Sequence, residues 1–225
     1  MDETGLARLL GIYGGTCFLV YVETSGFTKT QGLIDSLPLA MLSFLALTSN
    51  MAVKPRFTTA AAFATLALSR YLIVSKSSYE LSVIGYILVV IGHLLYFSTF
   101  QSLIDEWSIA LSMLGTTYFA TLSYHCFADL FDSIPFLVLL HACVFASSCF
   151  LVVAAGSVCE QNADQDDVIA QASYMRLIGT LLNCSSNTIF LLSLFALRIE
   201  TLQIFSQCLL YLADGLMYLA NERTF

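Results

Sequence analysis

Ile134-Pro-Phe-Leu-Val-Leu-Leu-His141-Ala-Cys-Val-Phe-Ala-Ser-Ser-Cys149-Phe-Leu-Val-Val-Ala-Ala155 runs for 22 residues without an Asp, Glu, Lys or Arg. A bilayer core takes about 20 apolar residues per crossing helix, so this stretch has the composition and length of a transmembrane span. Seven further apolar runs flank it, at Leu6–Val22, Leu33–Val53, Phe57–Val74, Leu81–Phe100, Ile109–Phe127, Leu177–Leu197 and Leu202–Ala220. Together they predict an all-α polytopic bundle of about eight transmembrane helices in one domain over residues 1–225. The composition agrees: 58% of the chain is hydrophobic and 11% is charged, against a usual charged share of about a quarter. Mean hydropathy is +0.80. A large extramembrane domain is excluded by length, and disorder by apolar content. The runs are continuous and do not alternate, which argues against an outer-membrane barrel.

Net charge is −7, and no cluster of Lys or Arg offers the footprint of a nucleic-acid partner. Of seven cysteines, Cys17, Cys126, Cys143, Cys149, Cys184 and Cys208 fall within apolar runs, where free Cys acts as a small hydrophobe. No C-x-x-C pair occurs, so neither a metal site nor a disulfide framework is expected. Met1-Asp2-Glu3-Thr4 lacks the cationic n-region of a cleaved signal peptide, and the first run is expected to be retained.

The polar stretches 23–30, 75–80 and 101–106 read as turns between antiparallel neighbours. The segment Gly156–Arg176, with Glu160, Asp164, Asp166 and Asp167, reads as an acidic loop or, alternatively, a cation-binding loop, although its spacing is not that of an EF-hand. Eight spans would place both termini on one side. That side collects Arg8, Lys54, Arg56, Arg176 and Arg223, and the other Lys29, Lys76, Arg198 and Arg70, which favours cytoplasmic termini. Gly11-x-x-x-Gly15 has the small-residue spacing of a tight helix crossing, within the chain or in a homodimer.

Ionisable groups inside a bilayer are costly and usually face the bundle interior, so the few present are the starting point for function. They are Asp35, Arg70, His93, His125, Asp129, His141 and Asp214, joined by Asn183 and Asn187, which lie four apart on one helix face. The alternative for each is interhelical hydrogen bonding, or an interfacial position for His125 and Asp129. Asp214 lies about two turns inside the last run and needs a partner or a proton.

Gly92-His93-Leu-Leu-Tyr96 in the fourth run resembles the YhhN-like family of lysoplasmalogenases. Ser36-Leu37-Pro38 is similar to the start of that family's second helix, Arg176 through Thr188 to its penultimate helix, and Tyr211-Leu-Ala-Asp214-Gly-Leu-Met217 to its closing segment. The resemblance is distant and covers nearly the whole chain in order. It implies an eight-helix bundle with no cofactor, in the endoplasmic reticulum membrane if the source is eukaryotic. It also implies cleavage of the vinyl-ether bond of lysoplasmalogens to a fatty aldehyde and glycerophospho-ethanolamine or -choline. Such chemistry calls for one group that gives a proton and one that activates water. The family's two acids fall at Ser69-Arg70 and Ser186-Asn187, where this sequence has a cation and an amide, neither of which is a general acid at neutral pH. The family's Lys near the second helix falls at Asp35, so Asp35 and Arg70 are expected to form an ion pair of exchanged sign. Asp214 and His93 are then the expected proton-handling pair, and Tyr96, Asn183, Ser186 and Asn187 the expected substrate-binding residues. The alternative is a lysophospholipid-binding protein without catalysis.

Overall fold

The computed structural model describes residues 7–75, 78–163, 167–196 and 199–225. Among these residues all regular structure is helical, in eight α-helices. A π-helical turn, Leu10–Gly14, leads into α1 (Gly15–Glu23), followed by α2 (Gly32–Leu47), α3 (Val53–Ser75) and α4 (Tyr79–Phe100). After a 3-10 turn at Gln101–Leu103 come α5 (Ile109–Phe127), α6 (Pro135–Gln161), α7 (Asp167–Leu191) and α8 (Glu200–Thr224), with a second π-helical segment, Leu192–Ala196, after α7.

The eight apolar runs map one to one onto these helices, but among the described residues five segments are both long and apolar enough to cross a membrane. They are Val53–Ser75, Tyr79–Leu103, Pro135–Gln161, Asp167–Phe195 and Thr201–Thr224. The other three are shorter or more polar. The 16 residues of α2 reach about 24 Å at 1.5 Å per residue, short of a hydrocarbon core of about 30 Å, and α5 carries Thr116, Thr117, Tyr118, Thr121, Tyr124 and His125.

The expected loop at Gly156–Arg176 is largely helix. α6 continues to Gln161 and α7 begins at Asp167, leaving a short connection, because polar residues extend both helices past their apolar runs. Asp167 stands in the first turn of α7, where a carboxylate complements the positive end of the helix dipole. Asp164 and Asp166 lie outside the described residues, as do Met1 to Leu6, Lys76 and Arg198. Arg176, expected in that loop, is instead buried in α7 at 0% exposure, so it does not count towards the charge balance of the connections.

The chain forms two compact units, Met1–Thr99 with Tyr218–Phe225, and Phe100–Met217. In the first, α2 and α3 form a tight antiparallel hairpin, and the Ser43 hydroxyl donates to the Ala60 carbonyl at 2.8 Å. Arg8 donates to the Leu45 carbonyl at 3.4 Å and the Thr48 hydroxyl at 3.2 Å, tying the amino-terminal helix to the end of α2. α4 lies close on α3 because Gly85 and Gly92 carry no side chain: a Cβ at Gly85 would stand 3.1 Å from the Ser69 carbonyl, and one at Gly92 would stand 2.6 Å from Leu66 Cδ2. Gly11 and Gly15 contribute no such contact, since no described atom outside their own helix lies within 4 Å of a Cβ built there. The turn from α1 to α2 holds Ser25, Gly26 and Phe27 in the left-handed region. The Thr24 hydroxyl accepts from Phe27 N at 3.0 Å, and Phe27 packs edge-on to Tyr21.

In the second unit Pro135 opens α6 where its missing N–H costs nothing, and Ser108 caps α5 by accepting from Leu111 N. The core gathers Phe145 against Tyr118 and Phe119, and Phe127 against Phe195. Gly179 of α7 faces α8, where a Cβ would stand 3.1 Å from Met217 N and 3.2 Å from the Ala213 carbonyl.

Candidate functional site

Two sets of polar side chains lie inside the first unit, one buried and the other half-buried. In the deeper set, His93 is 2% exposed and Tyr96, one turn on, is 0% exposed. The Tyr96 ring packs 6.4 Å from Phe63, which in turn stands 6.4 Å from Tyr218. One turn beyond Tyr96, Asn221 Nδ2 donates to the hydroxyls of Thr59 at 2.9 Å and Thr99 at 3.1 Å. This carboxamide joins α3, α4 and the end of α8 through groups 162 and 122 residues away in sequence.

The other set centres on Arg70. Its guanidinium interacts electrostatically with the Asp35 carboxyl and the Tyr86 hydroxyl. Asp35 is buried, and its Oδ2 accepts from Gln31 N at 3.0 Å, capping the start of its own helix. Gly32 allows this approach, because a Cβ there would stand 3.0 Å from the Tyr71 carbonyl. Asp35 opens α2, Arg70 lies in the last two turns of α3 and Tyr86 in the second turn of α4, so the cluster sits where all three helices come to the same end of the hairpin.

The second unit holds Asn183, Ser186 and Asn187. Asn187 Nδ2 donates to Asn183 Oδ1 at 3.1 Å and to the Ser148 hydroxyl on α6 at 2.6 Å. Ser186 turns the other way and donates to the Ser206 carbonyl of α8 at 2.7 Å. The three residues therefore bond across two different helix contacts. Beside the Ser148–Asn187 bond, Cys149 Sγ and Cys184 Sγ approach to 3.8 Å. His141 Nδ1 lies 2.9 Å from the Leu137 carbonyl, and its ring meets Phe195 edge-on, which is a packing role. The Arg176 guanidinium lies 4.8 Å above the centre of the Phe100 ring, a cation–π contact that supports a charge out of water. Asp214, in α8, is 1% exposed.

Of the residues expected from sequence, His93 and Tyr96 belong to the first unit, and Asp214, Asn183, Ser186 and Asn187 to the second. Sequence reasoning passed over the Thr59–Thr99–Asn221 node, the Cys149–Cys184 pair and the burial of Arg176. A signal existed for Arg176, which stands one turn before the packing residue Gly179. The other two depend on which helices are neighbours. Among the described residues no three His, Cys, Asp or Glu side chains converge to hold a metal ion.

The class that this fold and composition define is the helical membrane protein. No family model matches the chain, and no curated protein or solved structure matches it.

Proposed function

We propose that this chain is a lysoplasmalogenase-like membrane protein whose substrate is a lysophospholipid carrying a vinyl-ether chain. The observation that carries the reading is Asp214, a carboxyl group 1% exposed within an apolar helix, because cleavage of a vinyl ether begins with proton transfer to its carbon. Protonation gives an oxocarbenium ion, water adds to it, and the resulting hemiacetal collapses to a fatty aldehyde and the glycerophospholipid head. Asp214 is a buried carboxyl group in the last helix, and it is assigned to give that proton. The resemblance along the chain supports the substrate class, and the apolar helices supply surroundings suited to its single aliphatic chain.

A second reading, binding without hydrolysis, has its own support. The positions that match the family's acids hold Arg70 and Asn187. Arg70 interacts with Asp35 and Tyr86, and Asn187 is bonded to Ser148 and Asn183, so both serve helix contacts and neither gives a proton. Aldehyde release from lysoplasmenylethanolamine by purified protein separates the two. The first reading expects release by the wild type and a loss of at least about 100-fold in Asp214→Asn, the usual scale for a general acid. Equal rates would remove Asp214 from the mechanism. Saturable lysolipid binding without any aldehyde would establish the second reading.

A further inference from the structure

Cys149 on α6 and Cys184 on α7 are each 6% exposed, and their sulfurs lie 3.8 Å apart, one thiol donating to the other. A disulfide needs about 2.05 Å between sulfurs, so the two sulfurs must come closer than they now stand while the helices hold register. The helices do so because the Asn187–Ser148 hydrogen bond at 2.6 Å joins the same two helices immediately beside the pair. One of the two also borders an opening. Cys149 lines a groove of about 360 Å³ between α5 and α6, together with Trp107, Gly115, Thr116, Phe119 and Phe150. In an adjoining hollow that shares Trp107, Ser112 and Thr116 with the groove, α5 exposes Ile109 at 72% and Met113 at 66%, apolar surface suited to lipid chains.

We propose that Cys149 and Cys184 are an oxidisable thiol pair whose oxidant is a lipid hydroperoxide entering through this groove. The apolar lining selects a hydroperoxide carried on an acyl chain over one dissolved in water. Cys149 sulfur attacks the distal peroxide oxygen and the O–O bond breaks. The departing alkoxide takes the thiol proton and leaves as the lipid alcohol, with Cys149 as sulfenic acid. Cys184 sulfur then attacks Cys149 sulfur, the S–O bond breaks, and hydroxide leaves with the Cys184 proton as water. Two thiols lose two electrons, and one peroxide is reduced to one alcohol and one water. The product is a covalent staple between α6 and α7, a modification independent of lysolipid hydrolysis.

The test uses the reduced full chain in lipid nanodiscs, treated with linoleoyl-phosphatidylcholine hydroperoxide, then denatured, alkylated and mapped by mass spectrometry. The expected result is loss of two of the seven alkylatable thiols, recovery of linked Cys149 and Cys184 peptides, and one hydroxy-lipid per disulfide. The exposed Cys143 stays alkylatable and is the internal comparison. In Cys184→Ser the reaction should stop at Cys149 sulfenic acid, trapped by dimedone, whereas Cys149→Ser should give no dimedone adduct at Cys184. Oxidation of Cys143 with both pair thiols still alkylatable overturns the proposal, as does faster closure by hydrogen peroxide than by the lipid hydroperoxide. The wild-type measurement decides the matter even if either variant fails to fold.

Discussion

Asn221 joins three helices with one carboxamide. A hydrogen bond between membrane helices averages about 0.6 kcal/mol, so Asn221→Ala, which removes the bonds to both Thr59 and Thr99, should lower stability by about 1 kcal/mol or more. Denaturant unfolding in detergent micelles would measure it, and an unchanged midpoint would contradict the assigned role. At Asp35 and Arg70 the expectation concerns coupling: Asp35→Asn and Arg70→Gln should each destabilise, and the double variant by less than their sum, with an interaction energy of about 0.5 kcal/mol or more, the lower end for coupled residues. Strictly additive effects would mean that the two charges act independently. Some of this was legible in sequence. His93, Arg70, Asp35 and Asp214 stand out because a polar group in an apolar run carries a solvation cost wherever the run packs. Asn221 does not stand out, since it lies at the edge of its run and its importance comes from two threonines far away in sequence.

Glycines set how closely the elements approach, and whether the obstructing atom can move decides the cost of filling them. At Gly92 the nearest atom to an added Cβ is the Leu66 side chain at 2.6 Å, while at Gly179 it meets the backbone of Met217 and Ala213 at 3.1–3.2 Å. Gly179→Ala is therefore expected to cost more than Gly92→Ala despite the longer distances, within the roughly 1–3 kcal/mol typical of overpacking. Gly11→Ala should cost nothing from packing in the monomer. Thermal unfolding of the three variants side by side gives the order, and Gly92→Ala as the worst would overturn it. Helix identity was readable from apolar runs, but helix ends were not. Hydropathy marks where side chains are apolar, whereas the helix itself continues through Gly156–Gln161 and from Asp167 to Arg176, where polar residues keep the same backbone geometry. For the same reason Arg176 read as a loop charge although it sits under the cover of Phe100.

At the scale of the molecule, five helices long and apolar enough to cross a membrane predict that the protein stays with the membrane pellet after an alkaline wash and is released by detergent. Appearance in the alkaline supernatant would contradict a membrane-spanning fold. Composition alone was enough to read this, because it averages over every residue and needs no register. The division of the chain was not readable in that way: Tyr218–Phe225 belongs with Met1–Thr99, and only three-dimensional contacts such as Asn221 to Thr59 and Ala52 N to the Phe225 carbonyl reveal it. Those contacts impose an order on biosynthesis. A ribosome delivers residues 1–99 long before residue 218, so the first unit must wait through the synthesis and insertion of 118 intervening residues for its last pieces. During that interval Thr59, Phe63 and Thr99 lie beside an unfilled place in the nascent bundle, where insertion factors or neighbouring lipids have to stand in for the tail.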